Sequence, residues 1–335
     1  MRIHQYNLRI FSFFFMVLAF ILSLILGRYS LSIERVISVF LRLFHLVKEQ
    51  DPIADAIVLQ ARLPRLIAAF LVGAALSCGG ATYQAVFRNP LVSPDLLGVL
   101  SGAAFGAAIM IVKGEHLIGV EIGAFGGGIL AVGSGLLIAR LVPEGGILTL
   151  LMGGLIANAI FTALLSIIKY LADPQDQLPE IINWLLGSLS QVRWDEIRLL
   201  VLPILGVIFV LIKKASLLDV LALEDDEARS LGLSVGKVRF FFIALATLGC
   251  SLTISMAGMI GWVGLLAPHV ARMLTGGEHR QMMPVCAMLG AGGVMMADTF
   301  SRCLTAGEIP LGIITELLGS TAFIAVLYQH RKTIG

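Results

Sequence analysis

Catalysis, metal binding and nucleotide binding each need particular side chains at particular spacings, and this chain offers few of them. Gly232-x-x-x-Gly236-Lys237 imitates a phosphate loop. It is one residue short of the G-x-x-x-x-G-K pattern, Val238 stands where a Ser or Thr would reach magnesium, and no strand precedes it. ATP binding by this chain is therefore rejected. The six histidines (His4, His45, His116, His269, His279 and His330) include no i,i+3 or i,i+4 pair, so no zinc site is expected. His269 follows Pro268 near a helix end, which reads as a structural position. Cys78, Cys250, Cys286 and Cys303 lie inside or at the end of apolar runs without a C-x-x-C pair, so they read as buried thiols. Spacing assembles neither a Ser/His/Asp nor a Cys/His constellation. No enzymatic activity and no cofactor is expected.

Polar groups in apolar surroundings are the better signal. Glu316 is the one acid well inside an apolar run, with Asp298 and Glu308 nearer the ends of theirs. An ionised acid at mid-span costs about 3 kcal/mol on insertion scales. Three arrangements could hold Glu316: a protonated acid hydrogen-bonded in its own subunit, an ion pair with a neighbouring helix, or an acid facing a watered path. A second signal is Arg88-Asn89-Pro90-Leu91-Val92-Ser93-Pro94-Asp95-Leu96-Leu97-Gly98. Two prolines four apart cannot share a regular helix, so a span must end there in a rigid turn. Asn89 and Asp95 can satisfy loose backbone groups in such a turn. Either this is a plain tight turn or its irregular backbone lines an aqueous cavity.

The elements that would position these residues are set by composition. With 58% hydrophobic and 14% charged residues, against about 25% charge in soluble domains, the chain reads as an integral membrane protein. A net charge of +2 gives no ground for a nucleic-acid partner. Charged residues bound ten apolar runs, near 10–27, 66–87, 96–112, 122–139, 147–168, 197–212, 239–257, 262–275, 281–304 and 311–329. The fold class expected is therefore all-α, a polytopic membrane protein with about ten transmembrane helices. The first run lacks an A-x-A-like site before Arg28 and reads as an uncleaved span. The sixth is short and is expected to start at the interface near Trp194.

The stretch from Glu224 to Arg272 organises the rest. Glu224 to Ser234 is a short polar element, read as a helical turn stopped by Gly232 and restarted by Ser234 as N-cap. From Phe240 to Ala271 no Asp, Glu, Lys or Arg occurs. As one helix that run would overshoot the roughly 30 Å hydrocarbon core. Gly258, Gly261, Gly264 and Pro268 are expected to break it into a hairpin. A compact charged element beside a membrane hairpin is the layout of a machine driven from the water side.

Lys and Arg counts set orientation. The basic N-terminus, Lys213, Lys214, Lys237, Arg239 and the Arg331-Lys332 tail are expected to share the cytoplasmic side, and the acidic 173–196 loop to lie outside. Residues 28–65 break the rule: they would be external, yet carry Arg28, Arg35, Arg42, Lys48, Arg62 and Arg65. Either the helix count is wrong or that face meets an acidic partner. The spacings Gly102-x-x-x-Gly106 and Gly123-x-x-x-Gly127 are expected to let helices pack closely in lipid.

Four strings, in order, carry a resemblance. Arg62-Leu63-Pro64-Arg65, Asn89-Pro90-Leu91-x-x-Pro94-x-x-Leu97-Gly98, Glu227-Ala228-Arg229-x-Leu231-Gly232 and Gly261-x-x-Gly264-Leu265-x-x-Pro268-His269-x-x-Arg272 resemble the FecCD family. Its members are permease subunits of type II ATP-binding-cassette importers for iron-siderophore, haem and vitamin B12. The likeness runs from about residue 53 to 330. It implies a single transmembrane permease domain over 1–335, similar to the vitamin B12 importer permease, with a cytoplasmic coupling loop at about 214–238. It further implies a bacterial inner-membrane location with both termini cytoplasmic, and a homodimer around a central path. Two separate ATPase subunits and a periplasmic or lipoprotein substrate-binding protein are the implied partners, besides membrane lipid. Glu227, Ala228, Arg229, Leu231 and Gly232 match the ATPase-coupling segment. Asn89, Leu91, Gly145, Gly146 and Ile147 match the cytoplasmic gate. Arg62 and Arg302 match arginines that face glutamates of the binding protein, which would answer the broken charge rule. The chain departs at the tenth run, Pro310-Leu-Gly-Ile-Ile-Thr315-Glu316-Leu-Leu-Gly319-Ser320-Thr321, which has an acid and no second proline. The implied cargo is a metal chelate (iron-siderophore, haem or cobalamin), with a metal oxyanion such as molybdate or tungstate as the alternative. A stand-alone secondary transporter or channel is the rival class. It would need ionisable groups within the membrane, of which Glu316 is the main one.

Overall fold

The computed structural model describes residues 2–46, 51–142, 146–305 and 307–334. Among them all regular structure is helical. Each of the ten apolar runs is a helix: α1 (Arg2–Ile25), α3 (Pro52–Val86), α4 (Val99–Val112), α5 (Leu117–Ala139), α6 (Gly146–Leu171), α8 (Trp194–Lys213), α11 (Val235–Ala257), α12 (Val263–Thr275), α13 (His279–Cys303) and α14 (Leu311–Ile334). Shorter helices occupy the connections: α2 (Ile33–Leu43), α7 (Gln177–Leu185), α9 (Ala215–Leu221) and α10 (Asp225–Ser230). Six of the ten are individually long and apolar enough to span a bilayer, and α8 with α9, bent by 55°, makes a seventh. α4 and α12, with 14 and 13 residues, are too short at about 1.5 Å per residue to span alone.

The long apolar run breaks where expected, but not through all the residues expected. α11 stops at Ala257, and Gly258 (φ +69°) and Trp262 (φ +66°) turn the chain with left-handed backbone before α12. Gly264 and Pro268 lie inside α12 instead. Gly264 is there for close approach: a methyl group on Gly80 of α3 would overlap the Gly264 carbonyl. The non-helical backbone is satisfied internally, as it must be at membrane depth. Ser188 N–H donates to the Ala257 carbonyl (2.8 Å), and Leu311 and Gly312 N–H donate to Gly187 (2.9 Å) and Leu186 (3.0 Å).

α3 is the central element and is buried along nearly its whole length. Its small residues let it approach three helices closely, Gly73 against the backbone of Gly290 of α13, Gly80 against the backbone of Gly264 of α12, and Gly79 against the thiol of Cys250 of α11. Tyr83 and Thr247 share a buried hydrogen bond of 2.7 Å. The glycine spacings of α4 and α5 face one another as expected, Gly102 on Gly127 and Gly106 on Gly123. Replacing Gly80 with Val should therefore lower the melting temperature sharply. Overpacking costs about 1–3 kcal/mol even where side chains can move, and here backbone meets backbone. Gly133→Ala, with open space around the added carbon, is the matched neutral change. Equal thermal unfolding in detergent for the two variants would contradict this packing.

One turn into α3 lies a π-helical stretch, Ala56–Arg62. The Leu59 carbonyl in it accepts a hydrogen bond from Trp194 Nε1 (2.8 Å), so the start of α8 at Trp194 is tied to the wide turn. Cys78, Cys250 and Cys286 are buried, as expected for thiols acting as small hydrophobes, whereas Cys303 at the end of α13 is exposed.

Candidate functional site

The turn after α3 is built around a strained residue. Arg88 has φ +50°, the left-handed conformation usually left to Gly, and closes α3 with Asn89 N–H donating to the Gln84 carbonyl (3.0 Å). Asn89 Oδ1 accepts from Leu91 N–H (2.9 Å), the local backbone role expected of it. Leu91 is exposed. Asp95, expected to do the same, instead directs its carboxylate into a cavity described below. The second expected gate segment is described from Gly146, so Gly145 lies outside the described residues. Gly146 lines a cleft with Arg239, Gly236 and Phe240 at the start of α11, while Ile147 packs against the core.

The expected coupling segment falls on α10 with its C-terminal turn. Gly232 has φ +83° and ends the helix as expected, with Leu233 N–H donating to the Ala228 carbonyl (3.3 Å). Ser234 stands at the N-cap of α11 but makes no side-chain capping bond. Ala228 is fully buried and anchors α10, whereas Glu227, Arg229 and Gly232 are exposed and Leu231 is 62% exposed. Leu231 is thus a large apolar side chain open to contact at the end of a short charged helix. The Arg229–Asp226 pair (3.1 Å) is solvated on both sides and contributes little.

Sequence reasoning missed what fixes α10 to the bundle. Asp225 Oδ1 accepts from Arg88 Nη2 (2.5 Å) and Arg239 Nη2 (2.9 Å), and Arg88 Nε donates to the Leu221 carbonyl at the end of α9 (2.9 Å). The Arg239 guanidinium, hydrogen-bonded to it, and the nearby Arg88 hold the Asp225 carboxyl below the usual carboxylate range. It is thus ionised at neutral pH. Its contribution to stability is full above the ordinary Asp range and is lost only as pH falls through the lowered folded value. On α9, Asp219 Oδ1 accepts from His279 N–H (2.8 Å) and lies 2.7 Å from His279 Nδ1 at the start of α13.

At the opposite ends of α3 and α13, the expected docking arginines point inward. Arg62 is buried and donates to the carbonyls of Leu24, Ile25 (3.0 Å) and Tyr29 at and beyond the C-terminal end of α1. Arg302, also buried, pairs with Asp298 Oδ2 (3.0 Å) and reaches the carbonyls of Ser23 (3.3 Å) and Leu26 (3.4 Å). Two cations thus hold the negative end of the α1 dipole. Asp298 also takes Arg65 Nε (2.7 Å), and Arg65 Nη1 reaches Glu308 (2.8 Å). In this structure neither Arg62 nor Arg302 presents its charge to an external surface. Within the basic 28–65 stretch, Arg42 pairs with Asp55 (2.7 Å), Arg35 with Asp51 (3.3 Å), and Arg65 with Asp298 and Glu308. Breaking a buried pair on one side costs about 3–5 kcal/mol. Arg302→Glu should therefore unfold the end of the bundle, read as lost monodisperse protein on size exclusion. A normally folded Arg302→Glu would contradict that placement.

Glu316 of α14 is exposed, and no hydrogen bond or ion pair joins it to any described residue. Neither of the first two arrangements considered for it is formed in this subunit. It lines a cavity of about 330 Å³ with Asp95, Ser101, Asn158, Thr162 and Gly261. α4, α6, α14, the turn after α3 and the α11–α12 break supply those residues, so the two interrupted stretches of backbone meet at one cavity that holds two acids among mainly apolar side chains.

This geometry is that of a known permease architecture. Residues 15–329 match the model of the FecCD transport family. The chain belongs to that family. It is a multi-pass membrane protein and a permease subunit of the ATP-binding-cassette importer type. The chain is 34% identical over 319 residues to the molybdate import system permease of Haemophilus influenzae, covering 95% of this chain and 94% of that one. It is also 34% identical over 318 residues to a probable iron chelatin transport permease of Helicobacter pylori, covering 94% and 96%. A solved metal-chelate-type ABC transporter in an inward-facing conformation superposes with a TM-score of 0.86 at 32% identity, covering 96% of this chain and 99% of that one.

Proposed function

We propose that this permease passes a metal chelate (iron-siderophore, haem or cobalamin) inward across a bacterial inner membrane, as a homodimer driven by two separate ATPase subunits. The observation that carries the reading is α10: a charged helix anchored by buried Ala228, held to the bundle through Asp225, and showing Leu231 to water. Glu227, Arg229, Leu231 and Gly232 form the contact for the ATPase, with Ala228 anchoring the segment from beneath. Lys213, Lys214 and Lys237 flank it, which supports placing this side, and both termini, in the cytoplasm. Asn89 and Leu91, with the start of α6 at Gly146 and Ile147, form the gate on that side. At the other side an external binding protein docks on the face that Arg62 and Arg302 brace from within. The subunit supplies geometry and no bond chemistry: two states of one path, biased through the coupling loop.

Glu316, the acid by which the tenth run departs from the family pattern, lines one cavity with Asp95, which supports a path bearing acidic groups. They disfavour a free oxyanion, the cargo named for the Haemophilus relative, and favour a cationic or bulky neutral chelate. The test is uptake into vesicles by the permease with its ATPase and binding protein, compared with the permease alone.

A further inference from the structure

A force applied to α10 reaches a gate only through a contact that does not give. Arg88 has two such contacts and an unusual backbone. It directly precedes Asn89-Pro90-Leu91, its φ of +50° is one that Gly adopts without strain, and yet an arginine occupies it. Its guanidinium spans two short helices of the coupling loop, from the Leu221 carbonyl of α9 to Asp225 at the first turn of α10. The same Asp225 carboxylate holds Arg239 of α11 in a fork, 2.9 Å from Oδ1 and 3.4 Å from Oδ2. Arg239 in turn lines the cleft that contains Gly146 at the start of α6. One carboxylate on the coupling helix is therefore joined through Arg88 to the first segment of the candidate gate, and it also holds Arg239, which borders the cleft at the second.

We propose that Arg88 and Asp225 are positioning residues that make the gate turn and α10 move as one body. The inference rests on the ATPase contact and gate proposed above and adds the residues that connect them. A planar, forked guanidinium suits the task because it fixes direction as well as distance, which a single ammonium cannot. The strained backbone is held by the two contacts of its own side chain, so losing them frees the turn from α10 without removing any packing between spans.

Arg88→Gly separates the two roles, since glycine keeps the left-handed turn and discards the guanidinium. In proteoliposomes holding the permease with its ATPase and binding protein, Arg88→Gly should retain ATPase co-purification, melting temperature and ATP hydrolysis. Chelate moved per ATP should fall by about tenfold or more, within the usual span of coupling between sites. Asp225→Asn, nearly isosteric, should lower chelate per ATP likewise, with a lower melting temperature because the buried Arg239 loses its carboxylate. Arg88→Lys should fall between, because one ammonium cannot serve both Asp225 and Leu221. Arg198→Gln, an exposed pair with Asp195 elsewhere, should match the unaltered protein. Unchanged chelate per ATP in Arg88→Gly or Asp225→Asn overturns the proposal. So does loss of assembly in both, which would assign the trio to folding alone. Absence of ATP-driven transport by the unaltered permease with its ATPase and binding protein would instead refute the proposed function.

Discussion

Leu231→Asp is expected to abolish both co-purification of the ATPase and transport, while leaving the permease itself folded. Leu231 ends α10 with 62% of its surface in water, so an aspartate there disturbs nothing inside the subunit. In the assembled importer the same carboxylate would enter an apolar contact without a partner, which costs several kcal/mol. Tenfold in affinity is about 1.4 kcal/mol, so the complex should be lost rather than weakened. Size exclusion and melting temperature of the free permease should not change. Normal transport by this variant would show that α10 is a solvated loop.

The second large effect is expected at Glu316. At roughly 6 Å, with an effective dielectric of about 20, one carboxylate repels a unit negative charge by about 3 kcal/mol. Glu316→Gln should therefore alter chelate uptake with assembly intact, and Glu316→Lys should shift preference towards anions. A cysteine substituted at 316 should react with a water-soluble thiol reagent, because the side chain faces the cavity shared with Asp95 and Thr162. A thiol that stays unreactive in both nucleotide-free and ATP-bound complexes would place residue 316 in packing, outside the path.

The spans were legible because a bilayer leaves few options: ten apolar runs bounded by charge became ten helices. Glycine spacing in α4 and α5 was legible for a related reason, since only residues without a side chain allow that approach. Partners in space were not. Asp225 and Arg88 are 137 residues apart, and no local pattern joins them. Arg62 and Arg302 looked like surface charges because chain spacing does not show that the C-terminal end of α1 returns to cover them. Gly264 and Pro268 were read as breakers on residue type alone, whereas the close approach of α3 assigns Gly264 to packing. Asp95 was placed in a turn, but its carboxylate faces the cavity of Glu316, across 221 positions of sequence that only the folded helices bring together.

The central claim is a chelate permease powered from outside its own chain. The most direct measurement is uptake of radiolabelled ferric chelates, haem, cobalamin and molybdate into proteoliposomes. Permease, ATPase and binding protein would be reconstituted together, and the permease alone would be tested under an imposed proton or sodium gradient. The predicted result is ATP-dependent accumulation of one of the chelates by the full set, little molybdate, and no gradient-driven uptake by the permease alone. Gradient-driven accumulation by the permease alone, with no response to ATP in the full set, would contradict the account.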